Sequence, residues 1–593
     1  MLSKFILFIV VLLFYNASSH LTGNNFLTYY EIHDQNRTPS YDNTVAFSKQ
    51  LAAASNMLHY EVFGKSHQGR DIPLLIFNKN GRFTPGEAKE NNSMVILIQA
   101  AIHPGEPVGK DAGLMLLRDL VIHEKHLEYL ENTTVLFIPI LNPDGHERFG
   151  PYNRINQNGP EEMGWRTNAR NLNLNRDYLK ADSKEMRALL RLWHNWDPDF
   201  FIDTHSTNGG DYQYTMTYAM DVFGNANTSL VEWINDFYLP EIYASMEQDG
   251  FPLFPYVTYR SWHDPRSGLI SGAWHPMYSN SYASELNRPG LLLETHMLKP
   301  YNERVESTYL MILHTFKLLQ KDHDLKKLIK KADQYTASPQ FREQEFDLRF
   351  EVTSDSVMVD FLGVEYKIKE SSLSGGNWFI YNPEEPRTYQ IPWFNQTKPV
   401  YSVKLPDAYI IPVEYNDVIE RLDYHNIRMK KLEKDTLMKV SSWRFEEVQL
   451  ASRSNEGRQT ASFKTVPITE ERVYHKGSVL ISMDQPGARI IAHALEPMAP
   501  GSFAYWGFFN AVFERVEYFE SYVMEKMARE MIANDPSLMQ GLQSALTQNP
   551  EMASRPYAIL SWFYEQTPYY DQRHNIYPIG RIFNEAPIKP SGN

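Results

Sequence analysis

The chain has 593 residues, 42% hydrophobic and 22% charged, with a formal net charge of -14 at pH 7 and no cysteine. That length exceeds one core and calls for two to four units of ~100–200 residues. The acidic balance argues against a nucleic-acid partner, and the lack of cysteine excludes disulfides, thiol catalysis and cysteine-bound zinc.

The chain opens with the layout of a secretory signal: Lys4, an apolar run from Phe5 to Tyr15, then Ala17-Ser18-Ser19. Residues 1–19 are expected to be cleaved, because this run is shorter than the ~20 residues that span a bilayer. The mature protein is then secreted or periplasmic, with no stable membrane insertion. About 20 residues lie between that cleavage point and the first helix, so activity without proteolytic maturation is expected. Sequons at Asn36, Asn91, Asn132, Asn227 and Asn395 do not by themselves establish glycosylation.

The stretch after Tyr41 predicts a capped helix, and Ile72 to Phe77 a strand. Met94 to Ala101 (MVILIQAA) is a buried strand that stops at His103-Pro104-Gly105-Glu106, and an amphipathic helix follows from Gly109 to Glu124. Thr134 to Leu141 and Asp199 to Thr204 read as further strands, with a helix over Ser183 to Trp196 between them. Ser229 to Met246 reads as helix, Leu291 to Glu294 as a short buried strand, and Asn302 to Leu319 as helix. Such alternation predicts an α/β unit with helices on both faces of the sheet.

Past residue 330 the pattern changes. Phe346 to Met483 alternates in strand fashion, with turns at Gly375-Gly376 and Pro383 and one helix near Asp417 to Lys434. Ser502 to Asn534 has helical spacing with aromatics on one face, which suits core packing better than a membrane or carbohydrate surface. The basic runs at 326–331 and 430–434 read as solvated helix faces. The expected organisation is a catalytic unit over 20–330, a β-rich accessory region over 340–485 and a helical, aromatic-rich segment over 486–593.

Chemistry concentrates at strand ends, where ligands bind in open α/β sheets. His103 and Glu106 follow one buried strand and His205 ends another. Two histidines and one glutamate with a fourth position open to water form a catalytic set for one Zn2+ ion. Glu294 closes the apolar run Leu291-Leu292-Leu293, where an unpaired carboxylate is costly. Beside water activated by zinc it is a natural general base. Glu285 competes for that role but sits in polar sequence and is expected to be exposed. The segment 164–178 gathers Arg166, Arg170 and Arg176 with four asparagines, a set able to hold a carboxylate or an oxyanion.

HPGE, then R-x-N and LNR, then a strand-end His and a strand-end Glu, in this order, resembles the zinc carboxypeptidase family over about residues 40–320. The resemblance implies a mixed central sheet, zinc on His103, Glu106 and His205, and Glu294 as general base. It implies that Arg166, with Arg170 as alternative, polarises the scissile carbonyl. Asn175 and Arg176 would then grip the terminal carboxylate of a peptide substrate. Two positions depart from the family pattern. Asn173 stands where an Asp often orients a zinc histidine, which leaves Asp203 as the alternative carboxylate behind the metal. A substrate-capping tyrosine has no match at the usual place, so Tyr259, Tyr278 and Tyr282 all stay open. The competing functions are a zinc amidase on acyl-amino acids or cell-wall peptides, a non-catalytic binding member of the family, and a lectin-like protein.

Overall fold

The computed structural model describes residues 26–583, so the expected signal segment lies outside the described residues. Its centre is an eight-stranded sheet: β1 (Leu58–Lys65), β2 (Asp71–Asn78), β3 (Met94–Gln99), β4 (Thr133–Ile138), β5 (Phe200–Thr207), β6 (Met216–Ala219), β7 (Leu253–Pro255) and β8 (Gly290–His296). The spatial order is β1-β2-β4-β3-β5-β8-β6-β7. β4, β3, β5 and β8 run parallel, and antiparallel pairs on both sides make the sheet mixed.

Alternation along the strands divides two cores, because successive side chains point to opposite faces. Ile96, Ile98, Phe200, Ile202, Leu291 and Leu293 pack on one side with the helices Val108–Val121 and Tyr301–Lys321. Val95, Leu97, Leu136, Ile138 and Phe201 face the other side, against the helix Lys184–Trp196. That second core continues without a break through Phe341, Phe346, Tyr409, Trp443, Ile491 and Phe503 to Ile579. The helical face of the sheet is therefore shared with the C-terminal half of the chain.

The C-terminal half carries a six-stranded sheet, into which Gly580–Ile582 inserts between Ala408–Ile411 and Thr436–Leu450, and a long hairpin, Val357–Glu370 with Asn377–Phe394. The hairpin turns at Gly375, as its glycines predicted, whereas Pro383 sits at an irregularity where Val364 pairs Pro386 and Glu365 pairs Asn382. Lacking an N–H, proline suits such a bulge.

Two helical expectations fail. The helix at 417–434 ends at Tyr424, because Asn426 takes a positive φ of 56° and Lys430–Lys431 joins the sheet as a strand. Of Ser502 to Asn534, only Ser521–Asn534 is a long helix. Gly501 and Gly507 adopt φ of 74° and 76°, and a Cβ on Gly507 would lie 2.3 Å from Gln459 O. The aromatics there do pack inward: Phe503, Trp506 and Phe509 are buried from a series of turns.

Candidate active site

The parallel strands bring the site together at their carboxyl ends. In register, Gln99 of β3 faces Asp203 of β5, and His205 of β5 faces Glu294 of β8. Beyond β3 the chain turns through Ala101, whose φ of 51° is a left-handed conformation costing about 1–2 kcal/mol for a residue with a Cβ. The turn closes with Glu106 N–H donating to His103 O at 2.8 Å, which puts both side chains on one side.

His103 Nδ1, Glu106 Oε2 and His205 Nδ1 form a triangle with edges of 3.3, 3.0 and 3.2 Å. Tetrahedral ligands ~2.0–2.1 Å from zinc stand about 3.3 Å apart, so the triangle has the dimensions of a zinc face. The outer nitrogens explain why the Nδ1 atoms point inward. Asn173 Oδ1 accepts from Asn175 N–H at 3.1 Å, which identifies it as the oxygen, so His103 Nε2 at 2.8 Å must donate to it. His205 Nε2 donates to Asp203 Oδ2 at 2.7 Å, and Gln99 Nε2 holds the other oxygen at 2.8 Å. Three electron-rich atoms thus converge with all three residues buried, and the arrangement calls for positive charge.

That charge can be a proton on His205 or a divalent cation. Burial disfavours imidazolium, yet Asp203 and Glu106 together hold His205 well above its usual pKa. Burial takes His103 down to about 4, against the pull of Glu106. Metal binding here therefore competes with a proton on His205, as is general for such sites. Among the described residues this is the His/Asp/Glu group that can hold a metal. Asp203→Asn is expected to weaken zinc about 10–100-fold, measured by chelator competition; an unchanged dissociation constant would remove Asp203 from the site.

The triangle floors a cleft of about 480 Å³ lined by Glu294, Arg154, Arg166, Arg176, Tyr256 and Tyr278, among others. Glu294 is half-buried, and its Oε2 has no hydrogen-bond partner in the protein. Burial pushes its pKa up to about 8, opposed by His205 and Arg166 and reinforced by Glu106 and Asp203. Arg166 Nη1 donates to Glu106 Oε1 at 2.9 Å. Arg176 lies with its guanidinium 4.5 Å from the Tyr278 ring centre and donates to Asn175 O at 2.6 Å. Asn175 accepts from Ser279 N–H at 3.1 Å, and its Nδ2 is 3.5 Å from a His205 nitrogen already committed to Asp203.

Residues 44–303 match the family model described as zinc carboxypeptidase, and this span contains the whole triangle, Glu294 and the three cleft arginines. This span is a zinc carboxypeptidase domain. The chain as a whole is similar to proteins named carboxypeptidase 2. It is 23% identical over 491 residues to Carboxypeptidase 2 of Trichophyton rubrum, covering 79% of this chain and 84% of the relative. Carboxypeptidase 2 of Trichophyton equinum is 22% identical over 485 residues, with the same shares covered. Similar solved structures include carboxypeptidase A from Helicoverpa armigera (15% identity, TM-score 0.37, 50% of this chain and 75% of that one). A metallo-carboxypeptidase from Pseudomonas aeruginosa is 19% identical, with a TM-score of 0.35 over 48% of this chain and 70% of its own.

Within the carboxypeptidase domain, Arg170 is exposed and does not line the cleft, whereas Arg166 does. Of the three tyrosines, Tyr278 lines the cleft. Tyr282 is fully buried with its hydroxyl between His194 and His425, and Tyr259 lines a neighbouring small cavity. Glu285, expected at the surface, is 4% exposed, with His493 Nε2 3.2 Å and Arg489 Nη1 3.9 Å from its carboxylate. A buried carboxylate needs such partners, and they come from the C-terminal half of the chain.

Sequence reasoning missed Arg154 and Tyr256. Arg154 Nη1 hydrogen-bonds Glu106 Oε1, the oxygen that also accepts from Arg166. The signal for it was Gly105, since a Cβ there would lie 2.6 Å from Arg154 Cδ. The glycine of HPGE thus leaves the corridor through which Arg154 reaches Glu106.

Proposed function

We propose that this enzyme releases C-terminal residues from peptides, with His103, Glu106 and His205 holding zinc and Glu294 as general base. The observation that carries the reading is the unpartnered Glu294 carboxylate, beside the donor triangle in a cleft with three arginines. A zinc ion held there would polarise the scissile carbonyl and make a bound water more acidic. Glu294 takes the proton released as water attacks and returns it to the departing amine. Arg166 is tethered to Glu106 through one nitrogen while its side chain stays 44% exposed, so further N–H groups remain for the carbonyl oxygen as it gains charge. Arg176, its plane set by Tyr278 and Asn175 O, presents a fork that suits a carboxylate, and the Asn175 amide N–H groups lie alongside.

Peptides with free and amidated C-termini test this reading. Loss of single terminal residues from free peptides only is expected, and Arg176→Ala should raise KM for them. Equal cleavage of amidated peptides would refute the carboxylate clamp at Asn175 and Arg176. Export of the enzyme belongs to the same proposal and rests on the layout from Lys4 to Ser19. N-terminal sequencing of exported protein should read from His20. No described helix is long and apolar enough to cross a membrane. Residues beyond about 340 are proposed as an accessory region that completes the core under the catalytic sheet.

A further inference from the structure

We infer that Glu456, at the tip of an accessory hairpin, is a positioning residue for the metal centre and acts through Asn173 on His103. The inference rests on the reading that His103, Glu106 and His205 hold zinc.

The strands Thr436–Leu450 and Ala461–Tyr474 pair antiparallel, and the segment joining them folds into a tight turn. Asn455 and Arg458 exchange both backbone hydrogen bonds, at 2.8 and 2.9 Å, around Glu456-Gly457. Both central residues have positive φ, 48° and 73°, the signature of a type I′ turn. Glycine and asparagine enter that region readily, whereas a glutamate does so against its steric preference. A residue stays in such a conformation when its surroundings hold it there.

The contacts that hold it lead to the metal site. Glu456 Oε2 accepts the backbone N–H of Asn173 at 2.7 Å, across 283 residues of sequence. Two residues on, Arg458 grips Asp182 with two N–H groups, both at 2.6 Å, which fixes the hairpin against the catalytic unit. Asn173 Oδ1 in turn receives the Nε2–H of His103 at 2.8 Å. The two histidines are backed unequally: His205 has the carboxylate of Asp203, while His103 has only a neutral amide. Glu456 supplies anionic charge behind that amide and anchors the backbone that sets where Oδ1 lies. Outer partners of this kind orient a ligating histidine and raise its basicity.

Zinc is titrated against a competing chelator into wild-type protein, Glu456→Asn and Glu456→Gln, and Tm is recorded for each without added metal. Asparagine suits the turn but is one methylene too short to reach Asn173. Glu456→Asn is therefore expected to keep or raise Tm while binding zinc about tenfold more weakly. Glu456→Gln keeps the length and an acceptor but not the charge, and should fall between the two. Zinc affinity within twofold of wild type in Glu456→Asn overturns the inference, as does a loss of affinity matched by a loss of Tm. Wild-type protein that binds no zinc overturns the metal reading as well, which separates the two failures.

Discussion

Glu294→Gln should lower kcat/KM by about 10²–10⁴-fold, the usual share of a general base, with zinc content unchanged. Glutamine keeps the shape and one acceptor but cannot take a proton. The half-buried position of Glu294 at the cleft makes the swap sterically neutral. The folded-state pKa is raised to about 8 by burial, so the folded state keeps a proton that an unfolded glutamate releases near 4.5. Stability then falls as pH rises through that window, and a neutral glutamine removes the effect. The variant is thus expected to melt at or above the wild-type temperature at pH 8. In the wild type, kcat/KM should rise with pH as Glu294 ionises. The apparent pKa should lie below about 8, since a cation held by the triangle favours the carboxylate. A variant retaining more than a tenth of wild-type kcat/KM would remove Glu294 as the base.

The sequence carries the local half of this site and hides the assembled half. MVILIQAA followed by HPGE is legible because an apolar strand and a turn-forming pair each have a composition of their own. That His205 and Glu294 are register neighbours is a property of the parallel pairing of β5 with β8, which no spacing along the chain expresses. Arg154 escaped notice because its loop has no periodicity and its role depends on the space left by Gly105. Glu285 looked exposed from its polar neighbours, since its partners Arg489 and His493 lie about 200 residues further on. The aromatic spacing from Ser502 fits a helix as well as it fits inward-facing turns, and the positive φ of Gly501 and Gly507 decides between them. Alternation did reveal the accessory strands, but their shared core with Lys184–Trp196 is a packing fact.

That shared core sets the largest stability effect, at Asp182. Its carboxylate receives two N–H groups from Arg458 at 2.6 Å and one from Arg421 at 3.0 Å, with Lys180 Nζ at 3.6 Å. The Asp182 side chain is 11% exposed and that of Lys180 is fully buried. Both guanidiniums also lie over the Phe508 ring, at 4.7 and 3.7 Å from its centre, so they cannot move out to water without leaving the core. Burial alone would raise the Asp182 pKa, but Arg458, Lys180 and Arg421 hold it well below the usual carboxylate range. Lys180 keeps Asp177 at 2.6 Å, but Asp182→Ala leaves Arg421 and Arg458 without their common anion, a change of the kind that costs about 3–5 kcal/mol. That is a large part of the ~5–15 kcal/mol that holds a typical domain folded. Because the folded pKa is depressed, the contribution is fully present above the unfolded value and is lost as pH falls through the folded one. Urea melts should therefore show a constant deficit from pH 5 to 8 that narrows only in strong acid. A deficit below about 1 kcal/mol, the scale of an exposed ion pair, would mean that Asp182 adds no more than a surface pair to the joining of the two halves.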